Sequence, residues 1–150
     1  MILYRITSKA YARDLSGTGA MLHGGRWNPK GVRMLYTSQS LSLAALETIA
    51  NLSGDKLRGN LYCVELEFPD HLSVETIKKV PKTWNTFPFN SSTVDIGREF
   101  IQSEKLCLKV PSAIISSEYN YLLNPMHDDY MQIKFIDARP MILDQRLFQN

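Results

Sequence analysis

An arginine, a tyrosine and a lone carboxylate follow one another in the first third of the chain. Arg26 lies in Gly24-Gly25-Arg26-Trp27-Asn28, Tyr36 in Leu35-Tyr36-Thr37, and Glu47 after Ala44-Ala45-Leu46. Glu47 carries the only charge between Arg33 and Asp55. Desolvating an unpaired carboxylate is costly, so Glu47 needs a cationic partner or a chemical task, and Arg26 is the partner the pattern offers. The Arg26 guanidinium matches a phosphate or carboxylate bidentately, and Gly24 and Gly25 let backbone approach a ligand closely. The same arginine serves as well as a structural residue paired with a surface acid. Tyr36 ends an apolar run, either opening into a cleft or closing as a core aromatic. Together the three suit a small anionic ligand with sugar and ring parts.

Other candidates read more plainly. Glu65-Leu66-Glu67 sits on a strictly alternating strand and reads as its wet face. Ser112, after Val110-Pro111, stands where a strand ends, but no G-x-S-x-G elbow surrounds it. Asn120, Asn124, Pro125 and His127 form a polar, turn-rich segment after Tyr119. His23, His71 and His127 are too scattered for a metal site, so no metal is expected.

Around these residues, 150 positions imply one domain, 1–150, able to bury its own core. A hydrophobic share of 44% and a charged share of 21% are those of an ordinary globular protein. No apolar run approaches the ~20 residues of a membrane span, and the N-terminus lacks a signal-peptide layout. Cys63 and Cys107 read as buried reduced thiols, which places the chain in the cytoplasm. A net charge of +2 without a basic stripe argues against direct nucleic-acid binding.

Strands are expected at Met1–Ile6, Val32–Tyr36, Asn60–Phe68, Leu106–Val110, Ile114–Ile115 and Met131–Ile136. Helices are expected at Leu41–Leu52, buried all round, capped by Ser38 or Ser40 and stopped by Gly54, and at Thr93–Gln102. Ser16–Gly31 reads as a glycine-rich loop, Leu72–Asn90 as an irregular, aromatic-bearing connection, and Leu143–Phe148 as a ragged end. Strands among few helices without regular alternation favour an α+β fold.

The ordered motifs G-G-R-W-N (Gly24–Asn28), L-Y-T (Leu35–Thr37), A-L-E (Ala45–Glu47), V-P-S-A (Val110–Ala113) and L-L-N-P-x-H (Leu122–His127) resemble those of the RES domain. The resemblance runs from Tyr4-Arg5 through His127. This family, named for its Arg, Glu and Ser, is known as the toxin half of bacterial RES–Xre toxin–antitoxin pairs. The resemblance implies a fold similar to ADP-ribosyltransferases, NAD as substrate, growth arrest, inhibition by an Xre-type antitoxin, and homodimerisation as a family-level expectation. Carried over by motif, Arg26 binds the pyrophosphate, Tyr36 stacks on the nicotinamide or ribose side, and Ser112 hydrogen-bonds the substrate. Glu47 stabilises the oxocarbenium ion, Gly25 lets backbone near the ligand, and Asn124 matches a family asparagine. Lys30 departs from the family where a second proline is common. The acceptor stays open: water or phosphate for an NAD-degrading enzyme, a protein side chain for an ADP-ribosyltransferase. An inactive NAD-docking module would require a lost catalytic group. An RNA-cleaving toxin would want a basic groove and a His or Lys acid–base pair.

Overall fold

The structure is a computed structural model that describes residues 1–52 and 60–148. Seven strands form one sheet: β1 (Ile2–Ser8), β2 (Leu35–Ser38), β3 (Leu61–Glu67), β4 (Glu75–Thr76), β5 (Cys107–Pro111), β6 (Tyr119–Leu123) and β7 (Lys134–Pro140). Their order is β4-β5-β6-β2-β1-β3-β7, and every pairing is antiparallel except β4 with β5. Among the described residues three α-helices pack with it: α1 (Thr18–His23), α2 (Leu41–Asn51) and α3 (Ser91–Gln102). This is the expected α+β class.

Strand alternation splits the core between the two sheet faces. Along β6, Tyr121 and Leu123 join Leu3, Val64, Leu66 and Phe68 in one cluster. Leu122, between them, joins Trp27, Met34, Phe100 and Val110 in the other. Cys63 and Cys107 are buried free thiols, and burial pushes Cys107 up to about 12. Glu65 and Glu67 lie on the wet face, as expected, pairing with Arg139 and Lys134.

One irregularity creates the site. β1 meets β2 through the single register pair Tyr4–Ser38, whereas β1 pairs with β3 along its whole length. The sheet therefore parts between β1 and β2, with Arg5 on one lip and Tyr36 on the other.

Several elements differ from expectation. Ser16–Gly31 is not loop throughout: α1 forms between Gly17 and Gly24, which take φ of 69° and 70°. A Cβ at Gly17 would stand 2.8 Å from the Met34 amide nitrogen, so that turn needs glycine for space as well. Of the polar segment after Tyr119, Asn120 lies in β6, paired on both sides, whereas Asn124, Pro125 and His127 form the expected turn. Ile114 and Ile115 form no strand, because both their amides donate to the Ser112 hydroxyl and curl the chain. The last strand runs Lys134–Pro140 instead of Met131–Ile136, the earlier residues Asp128–Gln132 being a 3-10 turn. α2 is capped by Ser40, whose side chain accepts from the Leu43 amide. It buries only one face, through Leu43, Ala44 and Ala45, so the expectation of all-round burial fails. The stop expected at Gly54 lies outside the described residues.

α3 locks the arginine loop in place. A Cβ at Gly97 would lie 1.4 Å from the Trp27 carbonyl oxygen, so helix backbone rests directly on the Gly24–Asn28 segment. Gly97→Ala is expected to destabilise the protein by about 3 kcal/mol, the upper range for overpacking. Urea unfolding reads this as a lower midpoint; an unchanged midpoint would show that the contact is not close-packed.

Candidate active site

Glu47 projects from α2 toward β6 and the end of β5. Its Oε1 accepts from the Ser112 hydroxyl at 2.7 Å and from the Asn120 side-chain amide at 2.6 Å. Asn120 is held in turn by Ser38, whose hydroxyl donates to its Oδ1 at 2.7 Å. Ser112 is fully buried and also accepts from the amides of Ile114 and Ile115. These donors fix one carboxylate oxygen and suit an ionised acceptor. Oε2 has no protein donor among the described residues.

The expected Glu47–Arg26 pair is not made. Arg26 Nη1 donates to the main-chain oxygens of Trp84 (2.6 Å) and Thr86 (3.0 Å) instead. Burial lowers the Arg26 pKa and Glu47, acting at a distance, raises it. Nη2 and Nε have no protein partner among the described residues. The arginine thus ties down the Trp84–Phe89 segment with one nitrogen and keeps its remaining donors.

Tyr36 is a strut. Its hydroxyl donates to Asn28 Oδ1 at 2.7 Å and accepts from the Trp27 amide at 3.1 Å. Burial raises its pKa well above the ordinary tyrosine range, so it stays protonated as a donor. Asn28, itself buried, spends its amide on the carbonyls of Ala20, Pro29 and Val32. Gly25 has to be glycine for this reason: a Cβ there would approach the Tyr36 hydroxyl to 2.7 Å. Trp27 is core, as expected.

Arg5, which sequence reasoning did not single out as a site residue, belongs here. Its Nη1 donates to the main-chain oxygens of Tyr11 and Asp14, and it pairs with no carboxylate among the described residues. Burial lowers its pKa. The signal was present: alternation put Arg5 on the same face as Leu3. Asn120 was also missed as a site residue, being read as part of a turn.

Two cavities adjoin Glu47. The first, about 630 Å3, is lined by Gly24, Gly25, Arg26, Phe87, Phe89 and Ile114 among others. The second, about 710 Å3, runs between β1 and α2 past Tyr4, Thr7, Tyr11 and Asn60. Arg5, Tyr36, Glu47 and Asn120 line both. Each has the size of a small-molecule pocket, about 300–1,000 Å3. The carboxylate thus stands where a donor on one side could meet an acceptor on the other.

Asn124 lines neither cavity. Its side chain donates to the Lys105 carbonyl and accepts from the Met126 amide, so it shapes the turn after β6. His127 similarly accepts from the Asp129 amide. Among the described residues no group of three His, Cys, Asp or Glu could hold a metal ion, and no helix is long and apolar enough to cross a membrane.

The RES domain profile matches residues 2–144. A Prs ADP-ribosylating toxin of Sphingobium sp. is 38% identical over 144 residues, covering 93% of this chain and 89% of that protein. Toxin Res of Photorhabdus laumondii is 38% identical over 98% of this chain and 97% of its own. Toxin Res of Yersinia enterocolitica is 37% identical over 87% and 88%. Among solved structures, a chain of the M. tuberculosis MbcT–MbcA toxin–antitoxin complex superposes with a TM-score of 0.76 at 18% identity, covering 93% of this chain and 83% of that one, a likeness of fold.

Proposed function

Since the chain belongs to the RES domain family, we propose that it is the toxin of a toxin–antitoxin pair and cleaves the bond between nicotinamide and ribose in NAD. The observation that carries this reading is Glu47, held through Oε1 by Ser112 and Asn120, with no donor to Oε2 among the described residues, at the junction of two cavities. Nicotinamide leaves NAD as a neutral molecule from a cationic group, so no strong general acid is required. The ribose becomes an oxocarbenium ion whose charge a fixed carboxylate stabilises. Ser112 and Asn120 are positioning residues: they aim the carboxylate and keep it from rotating toward solvent. The free donors of Arg26, with Arg5 across the split sheet, supply positive charge for the pyrophosphate or an anionic acceptor. Tyr36 and Gly25 keep the Arg26 loop in register, Tyr36 with its ring on the cavity wall. Asn124 is left with a structural part.

A protein side chain as acceptor is the second reading, and the Sphingobium relative, a Prs ADP-ribosylating toxin, favours it. The partner is an antitoxin of the Xre type that covers the cavity of Arg26 and Glu47; the toxin acts in the cytoplasm, as one RES domain over 1–150, with homodimerisation an open property of the same family reading. Incubating purified protein with NAD, with and without phosphate and with and without Prs, tests the reaction. Free nicotinamide accompanied by ADP-ribose or its phosphorylated form is the expected result. Nicotinamide released only with Prs, together with labelled Prs, would move the reaction to protein modification. Intact NAD in every arm would end both readings.

A further inference from the structure

The segment between Pro81 and α3 holds large apolar side chains that the reaction has not used. Phe87 is 82% exposed and Phe89 43% exposed, although both line the first cavity with Arg26. Packing explains neither ring. It does explain their neighbours: Trp84 packs on the second core cluster, and Asn90 caps α3 by accepting from the Ser92 amide. The turn is therefore anchored at both ends and by Arg26, which grips the carbonyls of Trp84 and Thr86. Its rings are held out at the rim of a cavity beside a cation. Exposed aromatics fixed in this way are a stacking surface for a planar ring.

We propose that Phe87 and Phe89 form the platform on which the adenine of the dinucleotide stacks. This rests on the NAD reading above. The charge of the site chooses between the two bases: the Arg26 guanidinium carbon lies 5.8 Å from the Phe89 ring centroid. A second cation there is disfavoured, and nicotinamide in NAD is a pyridinium cation, whereas adenine is neutral. The adenine end thus lies on the Phe side of Arg26, and the bond to be broken lies toward Glu47. The geometry also gives Arg26 a second task, because the guanidinium that faces the pyrophosphate is the group that fixes the platform.

Phe87→Ala alters an exposed ring, so the fold is kept. It is expected to raise KM for NAD about tenfold with kcat within about twofold. Cleavage of nicotinamide mononucleotide, which lacks the adenylate, is expected to be unaffected. Calorimetry with ADP is expected to show binding about tenfold weaker to Phe87→Ala, and restored in Phe87→Tyr. An unchanged KM for NAD together with unchanged ADP affinity overturns the platform, as does an equal loss on nicotinamide mononucleotide, which would put the rings at the nicotinamide end. Should the wild type cleave neither nucleotide, the NAD reading fails by that result, and ADP binding still tests the platform by itself.

Discussion

Replacing Glu47 by Gln is expected to lower NAD turnover by roughly two to three orders of magnitude with little change in folding or NAD affinity. The substitution suits the site unusually well. The Gln oxygen can still accept from Ser112 and Asn120, as Oε1 does now, so the amide keeps its seat. What changes is the other arm, where a neutral amide replaces the carboxylate oxygen that has no donor among the described residues. A carboxylate about 4 Å from a unit positive charge is worth about 4 kcal/mol at an effective dielectric of 20. Losing about three-quarters of that, or nearly all of it, corresponds to roughly two to three decades in rate. Ser112→Ala keeps the charge and removes one of its two restraints, so a smaller loss, about tenfold, is expected. The measurement is initial nicotinamide release at saturating NAD, with thermal unfolding as a control for folding. A Gln variant that works at near wild-type rate would take Glu47 out of the mechanism, and a Ser112→Ala loss as large as that of Gln would make the hydroxyl a participant in the reaction.

The chemistry of this site was more legible in the sequence than its wiring. Glu47 stood out because a charge amid Leu and Ala is poorly explained by packing, and it is indeed held and aimed. Its partners were not legible. Arg26 looked like the counter-ion because it is the near cation, but contact depends on where the sheet parts, and register between distant strands leaves little local trace. Asn120 was hidden for a related reason: Tyr119-Asn120 opens a strand with polar residues because that strand presents an amide to Glu47, and turn propensity reads the same letters as a loop. Ser112 stands out by its motif, but its full burial and its bond to Glu47 are not legible there. The Thr18–His23 helix is short and glycine-flanked, so propensity misses it; what ties it down is its carbonyls, Ala20 accepting from the Asn28 side chain and Met21 from the Gly31 amide. α2 and α3, by contrast, carried their own caps and periodicity, and their bounds shifted by at most two residues.

Expressing the protein without its partner is expected to arrest growth while NAD falls, and co-expression of the antitoxin is expected to prevent both. A partner segment seated in the first cavity would compete directly with substrate for Arg26 and for the face of Glu47, so inhibition needs no conformational switch. Glu47→Gln should then neither arrest growth nor lower NAD, because an enzyme slowed by about two orders of magnitude drains the pool about a hundredfold more slowly than the wild type does. It should still bind the antitoxin, since its fold and its Ser112 and Asn120 contacts are kept. NAD is to be measured before viability drops, from a tightly repressed promoter, in wild type and Glu47→Gln side by side. Arrest by the Gln variant, or arrest with NAD intact, would place the lesion elsewhere. Arrest that precedes NAD loss and coincides with ADP-ribose on Prs would assign the same carboxylate to protein modification, because an oxocarbenium ion at the ribose is common to every acceptor.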